Sequence, residues 1–301
     1  MKKEFKKLRG VIPAALTAWD SKGEIDGEKT KSYIQYLMDR GVSGIFCGGS
    51  MGEAGLMTME QRRKIIDVGV EAAKGKVSVI VGTWHHCTRI AVELSKYAED
   101  AGADAAMAAL PHYPKPTQEG LYEHYKAISE AINIPVFVYS WFGQFGIEIE
   151  PETVARLAKG GYIQGIKYSS PDVLAIGEII RLTEGEITIL LGAETIFLAG
   201  LCLGADGCMG VSPAVVPEET VKMYNLLQEG KIEEAAKQQL TMLPFYKFLT
   251  HNDTRDDVPL LKEGLKMLGQ DLGELPLPAT KVPPDIKEKL GQELRRLGKL
   301  K

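Results

Sequence analysis

The chain has 301 residues, 45% of them hydrophobic and 25% charged, and its 36 basic against 40 acidic side chains give a formal net charge of -4. That balance excludes a disordered chain and leaves no electrostatic footprint for nucleic acid or an anionic membrane, so a small-molecule partner is the default. Cys47, Cys87, Cys202 and Cys208 form no C-x-x-C pattern and read as reduced, mostly buried thiols. The basic N-terminal ten residues lack the apolar core of a secretory signal, and no apolar run is long enough to span a bilayer. A cytoplasmic protein is expected.

In chain order, short apolar runs alternate with helical periodicity from about Gly10 to about Gly230. The predicted strands are residues 11–16, 44–49, 77–83, 105–110, 134–140, 164–169, 187–192 and 206–211. Helical patterns follow, among them residues 28–40, 59–73, 89–101, 119–131 and 218–228. Thr88, Thr117 and Asp172 are expected N-caps, and Gly41, Gly75, Gly102 and Gly230 follow helix ends. Eight units of roughly 28 residues are what a (β/α)8 TIM barrel requires. A doubly wound open sheet is the competitor, but the strand count favours closure, and no G-x-G-x-x-G opens a helix after the first strand.

Three more helices are predicted after the barrel, over residues 232–249, 259–268 and 285–297, with the proline-rich stretch 275–284 separating the last two. The expected organisation is a catalytic barrel over residues 1–230 and a C-terminal helical extension over residues 231–301 packed on it.

Lys167 breaks the apolar pattern of the sixth strand. Strand alternation puts it on one face with Ile163, Gly165 and Ser169. If that face looks into the barrel, desolvation disfavours the ammonium and leaves a nucleophilic amine near neutral pH, the chemistry of a Schiff-base lysine. On this segment alone, a strand-end lysine that packs its stem and hydrates its head is the other reading. Active sites of such barrels lie at the C-terminal strand ends. Tyr139 lies level with Lys167 on the neighbouring strand, either as an inward functional hydroxyl or as a satisfied core tyrosine. The glycine-rich turn after the second strand, Gly48 to Glu53, could present N–H groups to an anion. Trp84, His85, His86, Trp141 and Phe142 fall on the same rim; adjacent histidines make no metal pair, so neither metal nor cofactor is assigned.

Together these segments resemble the family of dihydrodipicolinate synthase and N-acetylneuraminate lyase, the pyruvate-dependent class I lyases. The carboxylate loop G-[TS]-T-G-E is similar to Gly49-Ser-Met-Gly-Glu53, and P-Y-Y-x-[KR]-P to Pro111-His-Tyr-Pro-Lys-Pro116. The strand-five tyrosine corresponds to Tyr139, G-[IV]-K to Gly165-Ile-Lys167, and G-A-D-G-x-I-G to Gly204-Ala-Asp-Gly-Cys-Met-Gly210, the last placing Met209 at the site. The resemblance implies that Lys167 forms an imine with a 2-oxo acid such as pyruvate and that Tyr139 moves protons. It implies that Gly49, Ser50 and the N–H groups around Met51 hold the carboxylate, and that Tyr113 reaches a neighbouring subunit's site in a dimer of dimers.

Two departures stand out. Met51 replaces the loop's second threonine, and Gln144 occupies the place of an arginine that grips the aldehyde's carboxylate. A neutral amide does not replace a bidentate guanidinium, so weak dihydrodipicolinate synthase activity is expected. Gly192-Ala-Glu-Thr195 resembles the stretch that contacts substrate hydroxyls in sugar-acid lyases, with Glu194 and Thr195 as polyol partners or, alternatively, as a helix start. Cleavage or dehydration of a 2-keto-3-deoxy sugar acid is therefore the expected reaction. The synthase activity and a non-catalytic 2-oxo-acid sensor are the alternatives.

Overall fold

The computed structural model describes residues 5–250 and 257–301; the first four residues of the N-terminal stretch read above lie outside the described residues. Eight parallel strands, β1 (Gly10–Val11), β2 (Gly44–Cys47), β3 (Ser78–Gly82), β4 (Ala105–Ala109), β5 (Val136–Ser140), β6 (Gly165–Tyr168), β7 (Thr188–Leu191) and β8 (Gly207–Cys208), run in the order β1-β8-β7-β6-β5-β4-β3-β2. A parallel bridge between Ala14 and Phe46 joins the two ends of that order, so the sheet closes into a (β/α)8 barrel.

All eight predicted strands form, but the first is much shorter than residues 11–16 because Pro13 has no N–H to donate to a ladder. Past it the chain meets β2 through single hydrogen bonds, Phe46 N to Pro13 O at 2.9 Å and Ala15 N to Phe46 O at 2.8 Å. The last strand stops at Cys208 rather than residue 211, as the chain turns into the short Ser212–Ala214 helix.

The caps of Thr117 and Asp172 form, accepting from Gly120 N and Ala175 N. The Thr88 cap does not. Cys87 holds the N-cap position, and the Thr88 hydroxyl instead lies 2.9 Å from His124 Nδ1 on the next helix. The cysteines are also less buried than expected: Cys47 and Cys208 are buried, whereas Cys87 and Cys202 are exposed.

The N-terminal end of the barrel is sealed. The Asp206 carboxylate accepts from Ile189 N at 3.0 Å and pairs with Lys7 at 3.1 Å and Arg9 at 3.5 Å, while Phe5 sets its ring edge-on to Phe137. The later helices, Ile232–Thr250, Asp257–Met267 and Pro284–Arg296, share one hydrophobic core with the barrel, a continuous cluster that includes Phe245, Leu261 and Leu290 together with Ile45, Ile65 and Val79. Burying these faces is what holds an amphipathic helix to a scaffold. Among the described residues no helix is long and apolar enough to cross a membrane.

Candidate active site

Lys167 lies inside the barrel with 5% exposure, directly across the ladder from Tyr139, so its strand face is the inward one. Gly165, one pleat below, is required: a Cβ there would overlap the ring of Phe137, which fills the layer beneath the lysine. The amine rises from this apolar floor to lie 4.0 Å from the centre of the Tyr139 ring and 5.8 Å from that of Phe46. Burial alone pulls its pKa from 10.5 down to about 7, and among the described residues no carboxylate pairs with it. Near neutral pH a substantial share of the amine is therefore uncharged and nucleophilic, while its stem is fixed by the strand.

Tyr139 is 3% exposed. Burial raises its hydroxyl pKa well above the ordinary phenol value, and hydrogen bonds with the hydroxyls of Ser50 and Ser169 oppose that rise. A tyrosine held neutral between two hydroxyls, beside an amine, has a path along which protons can move. Strand alternation puts Ser169 on the Lys167 face without making it a partner of Tyr139; its spacing of two residues from Lys167 on an inward strand face is the signal that points to the pairing.

The β2 loop brings Gly49 and Ser50 over the same mouth, and Met51 packs its side chain against the core. Across the mouth, a Cβ on Gly192 would overlap the Ser169 hydroxyl, so only glycine fits there. Met209 is 1% exposed, its N–H donating to Leu191 O at 2.8 Å.

Three predicted residues stand apart from this cluster. Tyr113 is 80% exposed on the loop after β4 and does not meet Lys167 within one chain. Glu194 is buried, with its carboxylate engaged by Ser212. Its carboxylate accepts from Ser212 N at 2.6 Å and from the Ser212 hydroxyl, and burial pushes its pKa up to about 7. Thr195 is exposed at the start of the following helix, as is Gln144 within the short Phe142–Phe145 turn of helix.

The rim aromatics are ordered into a wall. His86 meets His112 with ring centres 4.4 Å apart, His112 stacks on Phe145 at 5.1 Å, and Phe145 sets its edge to Tyr139 at 5.3 Å. Burial holds His85 and His86 below the ordinary imidazole value. No sequence period singles out His112 and Phe145, because loop conformation rather than strand alternation brings them to this wall. Among the described residues no cluster of three His, Cys, Asp or Glu side chains could hold a metal ion.

A closed parallel barrel with an unpaired, desolvated lysine beside a tyrosine at its C-terminal mouth has the make-up of a lysine-nucleophile lyase, the class that works through an imine on a carbonyl substrate. The comparisons with known proteins then give the family. This chain belongs to the dihydrodipicolinate synthetase family, whose sequence model matches residues 7–297. It is accordingly an enzyme of the carbon–carbon lyase type.

It is 36% identical over 294 residues to the 4-hydroxy-tetrahydrodipicolinate synthase of Methanocaldococcus jannaschii, covering 97% of this chain and 99% of that one. The dihydrodipicolinate synthase of Aquifex aeolicus superposes with a TM-score of 0.91 at 31% identity, covering 96% of this chain and 98% of that one. A prophage protein of the dihydrodipicolinic acid synthase family from Escherichia coli, solved in complex with pyruvate, gives the same TM-score at 28% identity over 96% of this chain and 98% of its own.

Proposed function

We propose that this enzyme uses Lys167 to activate pyruvate as an enamine and adds it to an aldehyde, as in 4-hydroxy-tetrahydrodipicolinate synthesis. The observation that carries the reading is the amine of Lys167, desolvated, without a carboxylate partner among the described residues, and in ladder register with Tyr139. The neutral amine adds to C2 of pyruvate, and the carbinolamine gains a proton and loses water to leave an iminium. Loss of a C3 proton gives the enamine, C3 attacks the aldehyde carbonyl, and the new alkoxide takes a proton. The acceptor's own amine, where it carries one, then adds to C2 and displaces Lys167, closing the ring; for an acceptor without an amine, water hydrolyses the iminium and frees the lysine. In this scheme Tyr139 exchanges the protons, with Ser50 and Ser169 as its hydroxyl partners. The N–H groups around Gly49, Ser50 and Met51 receive the carboxylate, and Gly192 and Met209 line the opposite wall.

The sugar-acid substrate expected from the sequence finds no support among these relatives, whose names favour the synthase reaction. The segment behind that expectation also weakens it, since the Glu194 carboxylate is engaged by Ser212 rather than held open for substrate hydroxyls. Gln144 favours a second reading within the same chemistry, an aldehyde acceptor without a carboxylate, because an exposed amide at that position offers no cation to bind one.

Tyr113, exposed on its loop, is assigned to a neighbouring copy's site in a dimer of dimers, and the four free cysteines fit a reducing, cytoplasmic setting. The test is pyruvate consumption with aspartate semialdehyde against a panel of uncharged aldehydes. Turnover with the semialdehyde supports the synthase reading, and turnover only with uncharged aldehydes supports the second. Pyruvate adding to Lys167 with no turnover on any acceptor would leave a sensor.

A further inference from the structure

The helix Asp257–Met267 lies far along the chain from every residue of the proposed mechanism, yet it sends one charge into the protein. Lys262 is 4% exposed and sits on the buried face formed with Leu261 and Leu265. Its amine reaches Glu53, itself 4% exposed, at 3.0 Å from Oε2 and 3.4 Å from Oε1. An ion pair this deep costs several times the free energy of a surface pair to desolvate, and an apolar pair of similar volume would commonly be at least as stable. Such a pair calls for an explanation other than stability.

Glu53 supplies one. It closes the carboxylate loop with its backbone in the left-handed region at φ 63°, unusual for a residue with a Cβ, and its N–H donates to Ser50 O at 3.0 Å. The preceding Gly52 carbonyl accepts from the Thr17 hydroxyl at 2.8 Å. Ser50 in turn hydrogen-bonds Tyr139, whose ring lies beside the Lys167 amine. A short sequence of contacts thus runs from the C-terminal helix to the reacting amine.

We propose that Lys262 is a positioning residue: through Glu53 it fixes the turn that sets Ser50 against Tyr139 and aims the loop's N–H groups at the 2-oxo acid's carboxylate, making the C-terminal extension part of the active site's framework. The proposal rests on the reading of Lys167 as the imine-forming nucleophile. A displaced turn weakens carboxylate capture and lengthens the Ser50–Tyr139 contact, while the lysine, held by its own strand, keeps its reactivity.

The test measures borohydride-trapped pyruvate on the full-length wild type, Lys262→Met and the double variant Glu53→Gln/Lys262→Met, each well below its melting temperature. The double variant removes both charges, so it reports on the loop even if the single variant fails to fold. The expected result is a rise of about ten- to a hundredfold in the pyruvate concentration for half-maximal trapping, with full labelling of Lys167 at saturation. A folded double variant with wild-type half-saturation, or single and double variants that differ from wild type only in melting temperature, would overturn the proposal. A wild type that traps no pyruvate would instead strike the reading of Lys167 itself.

Discussion

Lys167 and Lys262 are both almost fully buried, at 5% and 4% exposure, and burial pushes both below the ordinary lysine pKa, but they sit in regions built for opposite purposes. On the C-terminal helix, the Glu53 carboxylate opposes the shift and keeps Lys262 in an ion pair. On β6, Lys167 has Phe46, Tyr139 and Phe137 around and beneath it and no carboxylate paired with it among the described residues. A buried amine with a counter-ion holds things in place. One without a counter-ion suits the nucleophile's part proposed for Lys167, because burial disfavours the ammonium and leaves the amine largely neutral near pH 7.

The sharpest way to break that contrast is substitution. Lys167→Met is expected to abolish pyruvate trapping and turnover, whereas Lys262→Met retains a trappable Lys167; equal loss in both would erase the distinction. Tyr139→Phe comes next, with turnover down by about 10²–10⁴-fold, the range for a lost general acid–base, and the protein still folded by circular dichroism. The rate of trapping at low pyruvate should follow the neutral fraction of Lys167. It should be level above pH of about 7 and fall about tenfold per unit below it, so a flat profile from pH 5 to 8 counts against a depressed amine.

Stability separates the two lysines in sign. Between about pH 7 and 10.5 the unfolded chain binds a proton at residue 167 that the folded chain does not, so the native state gains stability as pH rises through that window. Lys167→Met should therefore stabilise the protein most at or below pH 7, by up to about 5 kcal/mol at about 1.4 kcal/mol per unit of pKa, and lose that advantage by pH 10.5. Lys262→Met, which leaves a carboxylate buried, should destabilise by about 3–5 kcal/mol in urea titrations. The smallest effect is expected at the rim: Gln144→Arg should lower KM for aspartate semialdehyde by about tenfold, the value of a charge-assisted hydrogen bond, and leave the pyruvate half-saturation unchanged.

What the sequence disclosed follows from which features are periodic. Strand parity placed Lys167, Tyr139 and Ser169 on inward faces, and the alternation of apolar runs with helical segments predicted eight strands and a closed barrel. Pairing itself was less legible, since Pro13 truncates β1 through a missing donor that an apolar count does not register. Glu194 shows the same limit at the site. Its neighbourhood resembles a polyol-binding stretch, but Ser212 lies in the next strand's loop, and only the folded chain brings it within 2.6 Å. Lys262 carried a readable signal, a lysine in the apolar stripe with Leu261 and Leu265 at helical spacing, but its partner Glu53 is 209 positions away.

The most direct measurement is to incubate the protein with pyruvate at pH 7.5, reduce with borohydride and map the adduct by peptide mass. The expected result is one pyruvate-derived mass on the peptide containing Lys167 and none on that containing Lys262. No adduct, or an adduct on a different lysine, would contradict it.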